Sequence, residues 1–304
     1  MRLGAALNKP RWLLRAFLLG IGMAPLAPSV SFAGAEVCQP PSDFSHLTLG
    51  YYDYDESGID GMAGQVRREN HDIDLRYKLD ESWSFGLGHR YVILDIDPLE
   101  LQTNGHLHTV FFPIHRESHS DGKRFRFSLA PSLSASSNVM KDPGEYSADT
   151  LQFIAALIWS RDLSDRVNLR YGVCGDHRFG EYEIYPAISI GWRLRRKWLF
   201  ELGFPTTRLS YQATPSVGFS LRVAPDGNEW HVKNSDKDRQ SQLVYESTLV
   251  EGTFSWRALE RLMLTVGVGR LFDNRYDVTL LDDRRVQLDG KAVTRVGAAI
   301  EWRF

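Results

Sequence analysis

The chain is poor in several things, and each shortage excludes something. Its 304 residues hold two cysteines, Cys38 and Cys174. The residues ahead of Cys38, Ala35-Glu36-Val37, lack the Leu-small-small pattern of a lipidated cysteine. Beyond the N-terminal segment no apolar run approaches the about 20 residues that a membrane helix needs. No convincing amphipathic helix appears there either. Charge of neither sign is in excess, with 36 Lys and Arg against 38 Asp and Glu. A mildly acidic chain is a poor nucleic-acid binder, because the phosphate backbone attracts basic surfaces.

What is present begins with an export signal. Arg2, Lys9, Arg11 and Arg15 form a basic stretch, 13–23 is apolar, and Pro25 and Pro28 end it. Ser31-Phe32-Ala33 and Ala33-Gly34-Ala35 are small-residue cleavage sites, so residues 1–33 read as a signal peptide cut after 33 or 35. Its removal takes the formal charge from −2 to −6. Residues 36–304 form a single domain. About ten residues then precede the first strand, too few for a long N-terminal plug.

From there to the end, apolar and polar residues alternate in segments of strand length. Ile73, Leu75 and Tyr77 alternate with Asp72, Asp74, Arg76 and Lys78; Phe125, Phe127 and Leu129 with Arg124, Arg126 and Ser128; Ile188, Ile190 and Trp192 with Ser189, Gly191 and Arg193. Period two is the strand signature. The chain stops on such a strand, with Val296, Ala298, Ile300, Trp302 and Phe304 on one face and Arg295, Glu301 and Arg303 on the other. A soluble chain seldom ends on a bare apolar strand, since ends fray.

The connections alternate in length. Short turns fall at 80–82, 162–165, 195–197 and 257–261, with a slightly longer one at 115–122. The links between them are longer and more polar, at 55–65, 136–148, 234–242 and 273–290. Trp83, Trp159, Trp192, Trp198, Trp256 and Trp302 all lie within a few residues of a short turn or the C-terminus, on the apolar side of their strands. Six core tryptophans of a soluble sandwich would have no reason to gather at one end of every hairpin. They read as an aromatic girdle at one membrane interface. The expected fold is all-β, a transmembrane antiparallel up-and-down barrel with short periplasmic turns and longer external loops. Fourteen strands is the first count. Pro225-Asp226-Gly227-Asn228 reads as a tight turn, and if 229–235 is not a separate strand the count falls to 12.

Signal peptide, hairpin ladder, interfacial aromatics and terminal Trp302-Arg303-Phe304 together resemble bacterial outer-membrane β-barrel proteins, with 192–230 similar to porin-like families of unknown function. The resemblance implies residence in the outer membrane, among its lipids and lipopolysaccharide. It also implies Trp302 and Phe304 as an assembly signal read by the barrel assembly machinery.

Functional candidates in such a barrel face the lumen. Arg76, Lys78, Arg124, Arg126, Arg166, Arg170, Arg193, Arg195 and Arg303 form an expected basic belt near the periplasmic mouth, against mainly Glu201 and Glu301. A cationic wall favours anions, so the first reading is a passive, porin-like channel for small solutes, anions favoured. The alternative is a structural or ligand-binding barrel whose arginines pair with lumen carboxylates. Small inward residues such as Gly88 and Gly297 leave room for water or a ligand, or accommodate curvature.

An outer-membrane hydrolase comes third. His106 and His108 share one face, yet no third metal ligand is evident. Ser136-Ser137-Asn138 lacks the His-x-Ser arrangement of outer-membrane phospholipases, and Asp176-His177 and Asp282-Asp283 are placed in external loops. No catalytic residue, metal site or cofactor is expected. A disulfide is permitted in an oxidising envelope compartment, but the unpaired reading is favoured: Cys38 precedes the first strand and Cys174 falls late in a strand at the far side of the membrane, whereas bridged Cα atoms lie within about 7 Å.

Overall fold

The computed structural model describes Cys38 and residues 44–97, 99, 105–120, 122–148, 150–233, 240–280 and 282–304. The signal peptide expected at 1–33 lies outside them.

Alternating residues put apolar side chains on one face of each strand and polar ones on the other, and the chain buries the polar face by closing on itself. Seventeen strand segments result: β1 (His46–Gly58), β2 (Gln65–Lys78), β3 (Trp83–Asp97), β4 (His106–Phe111), β5 (Ile114–Ser120), β6 (Lys123–Ser136), β7 (Leu151–Ser164), β8 (Val167–Phe179) and β9 (Glu181–Arg195) come first. Then follow β10 (Trp198–Phe204), β11 (Thr207–Thr214), β12 (Val217–Pro225), β13 (Asn228–Lys233), β14 (Gln240–Leu259), β15 (Leu262–Thr279), β16 (Arg285–Gly290) and β17 (Val293–Arg303). Among the described residues a short α-helix, α1 (Ser137–Met140), follows β6, and a 3-10 turn (Pro143–Glu145) follows it.

Three strands are interrupted, each keeping at least one neighbour across the break. Segments β4 and β5 both lie between β3 and β6, β12 and β13 both pair with β14, and β16 and β17 both pair with β15. The sheet is therefore an antiparallel barrel of fourteen strands, closed by β1 against β17 from His46↔Arg303 to Tyr54↔Arg295. Closure leaves no edge of unpaired backbone groups, a requirement in a bilayer.

The count of fourteen holds, but not by the expected division of 198–256. Pro225-Asp226-Gly227-Asn228 is no hairpin turn. Pro225 pairs with Thr248 and Asn228 with Tyr245, one unbroken register along β14, and Asp226 N–H donates to Ser247 O. The missing hairpin is β10–β11, seven and eight residues long, turning at the cis Phe204–Pro205 bond. Its periplasmic turn to β12 falls at Thr214–Val217. Two further boundaries move. Residues 115–120 belong to β5, and 273–279 and 285–290 are strand extensions around a loop tip.

The external half of the barrel narrows. Where β10 and β11 have already turned back, β12 continues as β13, and His231 pairs with Ala135 of β6 across a single parallel bridge. At that height nine segments, β1, β2, β3, β4, β6, β13, β14, β15 and β16, form a smaller ring, closed by the Ile59↔Gly290 bridge. Its interior is apolar: Tyr54, Val66, Leu94, Ile96, Leu107, Trp230, Leu243 and Val278 pack together. Trp230 is 1% exposed and Leu107 0%. Each such side chain contributes about 1.5–3 kcal/mol by leaving water. The β8–β9 tip fits against this extension closely. A Cβ on Gly227 would meet Arg178 O and Gly180 N, so only glycine lets the two backbones approach.

Candidate functional site: the barrel lumen

Inward positions of the strands place charges at two levels. At mid-depth a cavity of about 60 Å³ is lined by Asp72, Arg90, Arg222, Asp226, Arg295 and neighbouring residues. Nearly every charge around it is paired. Arg222 Nη2 donates to Glu251 Oε2 at 2.8 Å, and Arg295 donates to the other oxygen of Glu251. Arg90 Nε donates to Asp72 Oδ1 at 3.1 Å, and His177 Nδ1 lies 3.1 Å from Glu229 Oε2. The Arg68 guanidinium sits over Tyr245 at 4.2 Å and Tyr54 at 4.7 Å, with Asp226 Oδ2 at 3.6 Å, an ion pair longer than a hydrogen bond. Arg295 stacks over Tyr52 at 4.9 Å. Low dielectric strengthens these pairs, and each leaves a costly bare charge if its partner is removed.

Nearer the periplasmic turns lie the expected belt residues. Arg76 is buried and holds both oxygens of Asp74, at 2.7 and 3.1 Å, with its Nη1 2.7 Å from His115 Nε2. His115 Nδ1 in turn meets Ser128 Oγ at 2.8 Å. Arg170 pairs with Glu201, and Arg303 Nε donates to Glu301 Oε1 at 2.6 Å while covering the Phe44 ring at 4.0 Å. Arg126 is buried, and its Nε and Nη2 make no hydrogen bond. Lys78 is half-buried at the end of β2, Arg193 is half-buried, and Arg124 and Arg195 are exposed at strand ends. Arg166 does not face the lumen along a strand, for it lies in the β7–β8 turn. Three of the nine belt residues, Arg76, Arg170 and Arg303, are thus neutralised by carboxylates. Asp74 is the carboxylate that the belt reading left out, and the mid-depth set of Arg68, Arg90, Arg222, Glu251 and Arg295 went unremarked. Its signal was available: each is a charge at an inward position of an alternating segment.

Asp176 and His177 are in β8, buried in the lumen, and not in an external loop. Asp176 Oδ2 accepts from Tyr185 OH at 2.7 Å, and Arg178 pairs with it at 3.0 Å. Here too the expectation for cysteine fails. Cys38 and Cys174 form a disulfide with Cα atoms 5.9 Å apart. Cys174 points inward beside Ala156, Ile158, Tyr185 and Ala187, and Cys38 packs against this group. Cys38 therefore lies against the inner wall at β8. At Gly88 and Gly297 the small inward residue does not leave open space. A Cβ on Gly88 would strike the Phe111 ring and one on Gly297 the Tyr52 ring, so these glycines seat aromatic side chains.

On the outer wall, Trp159, Trp192, Trp198, Trp256 and Trp302 are exposed. Trp83 is half-buried beside Phe85, with the Arg116 guanidinium 5.3 Å from its ring. Phe304 is exposed, and its N–H donates to Ser45 O at 3.1 Å.

A closed antiparallel barrel with apolar residues outside and ion pairs inside belongs to the class of membrane-spanning β-barrels. More narrowly, the chain belongs to the family described as Domain of unknown function (DUF6268), which spans residues 71–280. No curated protein matches it. Among solved structures it is similar to the NanC porin, at 8% identity and a TM-score of 0.41, over 86% of this chain and 100% of that one. It is similar to the KdgM porin at 9% and 0.38, over 84% and 99%. The toluene transporter TodX of Pseudomonas putida is also similar, at 11% and 0.36, over 90% and 94%.

Proposed function

We propose that the protein is an integral outer-membrane barrel of porin type whose passage is closed at rest and opens when the β13–β14 extension moves off β6. The observation that carries this reading is the narrowed external ring, filled by Trp230, Leu107 and Leu243. An open pore does not hold its mouth shut with a dry apolar core. The extension is tied to the wall by side-chain contacts: Ser134 Oγ and Gln152 Nε2 donate to Glu229 O at 2.5 and 3.0 Å, Asn228 Nδ2 to Thr109 Oγ1 at 2.9 Å and Asn138 Nδ2 to Lys233 O at 3.4 Å, with ion pairs from His177 to Glu229 and from Lys233 to Glu145. Each such hydrogen bond is breakable at modest cost, since it contributes about 0.5–1.5 kcal/mol net.

The apolar outer wall suits a bilayer, and the six tryptophans near the short turns suit a girdle at the periplasmic interface. Export by a cleaved signal peptide, contact with lipopolysaccharide, and recognition of Trp302 and Phe304 by the barrel assembly machinery complete the reading. Arg124, Arg126, Arg193 and Arg195 bias the periplasmic vestibule toward anions, because the carboxylates near them are fewer.

Single-channel recording of the refolded protein in a planar bilayer tests this. Long closed periods with brief openings are expected, and an anion-biased reversal potential in a salt gradient. In Trp230→Ala the open fraction rises several-fold. Steady open steps at rest would overturn the closed gate. Silence from both proteins would overturn conduction altogether and leave a binding barrel with a filled lumen.

A further inference from the structure

The outer wall carries a second feature, independent of conduction. Across β1 to β4 the outward positions hold a ladder of polar rings. Tyr51 lies 5.1 Å from His71, His71 5.8 Å from Tyr91, and Tyr91 4.8 Å from His108 and 5.8 Å from His106, as ring centroids. The ladder stands at the external margin of the apolar belt. Just beyond it, outward residues change to Asp53 on β1, Glu69 on β2 and Asp95 on β3. That is the height of lipid headgroups and ester linkages in the reading above.

Beside the ladder, three side chains, from β3, β4 and the start of α1, form a chain of hydrogen bonds. Ser137 Oγ lies 2.7 Å from His108 Nε2, and His108 Nδ1 lies 3.1 Å from His89 Nε2. The two imidazoles lie 5° from parallel, and their nitrogens are far closer than their centroids at 5.4 Å, so they meet edge to edge along a hydrogen bond. Pairing sets the geometry. Tyr91 is opposite His108, which places His89 on its diagonal, and His108 is opposite Ala135, two residues before Ser137. The Ser137 hydroxyl is not spent on helix capping, because the N-cap of α1 is Ser136. All three residues are half-buried, open on the side that faces lipid.

A nucleophile on a base that is itself held by a third group is the arrangement of acyl-transfer enzymes, recognised by geometry and not by order in the chain. From it we propose that Ser137, His108 and His89 form an ester-hydrolysing site on the outer wall, taking the acyl ester of an amphiphile in the external leaflet. With Nδ1–H of His108 donating to His89 Nε2, His108 Nε2 is left to accept the hydroxyl proton. Ser137 Oγ attacks the acyl carbon as its proton passes to His108 Nε2. The bond from acyl carbon to alcohol oxygen breaks, and that proton goes to the departing oxygen. Water then attacks the acyl-serine by the same route, releasing the fatty acid and restoring Ser137. Ser137 and His108 are the catalytic residues, and His89 is a positioning residue.

The test uses the full chain, refolded in detergent, with folding checked by heat-modifiable migration. An alkyl fluorophosphonate labels Ser137, located by mass spectrometry, and micellar p-nitrophenyl octanoate is cleaved. Both are lost in Ser137→Ala, an outer-wall change that leaves the barrel intact. His108→Ala slows labelling by about 10²-fold or more, the usual weight of general-base catalysis. His89→Gln, whose amide oxygen accepts the same hydrogen bond, retains activity that His89→Leu loses. Absence of labelling in the folded wild type, or labelling equal in wild type and His108→Ala, would overturn the proposal and leave three hydrogen-bonded side chains at the interface. Equal loss in His89→Gln and His89→Leu would overturn the role given to His89.

Discussion

Glu251 is the carboxylate on which two arginines converge, Arg222 from β12 and Arg295 from β17. It is almost fully buried, so its removal strands two guanidinium groups in a medium that cannot solvate them. Glu251→Leu is expected to destabilise the folded barrel by about 3–5 kcal/mol, read as a lower urea midpoint in lipid vesicles. Replacing Glu251, Arg222 and Arg295 together by apolar residues is expected to cost far less, which separates the price of an orphaned charge from the worth of the pair. Gly297 illustrates a second residue-level constraint. It lies beneath the Tyr52 ring, and Gly297→Leu displaces that ring at a cost of about 1–3 kcal/mol by the same measurement. That both positions are inward was legible in the alternation around them. Which charge meets which was not, because partners come from strands dozens of residues apart.

At the scale of elements, the interrupted strand β12–β13 and the Cys38–Cys174 bridge shape the interior. Both went against the expectation, for related reasons. Pro225 and Gly227 are turn residues by local preference, yet continuous pairing with β14 keeps the chain extended through them. Cys38 and Cys174 are 136 residues apart, and only closure of the barrel brings the entrance of the chain beside β8. A bridge over that separation removes much unfolded-state freedom. Cys38→Ser with Cys174→Ser is expected to cost about 3–5 kcal/mol of stability. In the native protein a membrane-impermeant maleimide should find no free thiol until a reductant is added. Immediate reaction of two thiols in the folded, unreduced protein would contradict the bridge.

For the whole molecule, the alternation that puts apolar residues outward on fourteen strands leaves a barrel without edges, and its closure rests on the pairing of the terminal strand with β1. Phe304 joins the two ends through Ser45. Phe304→Ser is expected to lower the amount of folded protein in the outer membrane several-fold, with the remainder recovered from the periplasm on fractionation. An unchanged level would remove the terminal residue from the assembly signal. The sequence by itself determined the all-β architecture, the direction each face points and the antiparallel hairpin order outside 198–256, because period two and turn chemistry act over a few residues. Tertiary structure alone decided the pairing of Arg76, Arg170 and Arg303, the disulfide, the apolar ring of the external half and the meeting of Ser137 with His108 and His89. Each of these depends on side chains from different segments meeting across the lumen or along the wall. Those meetings are set by register and barrel closure, which no local pattern encodes.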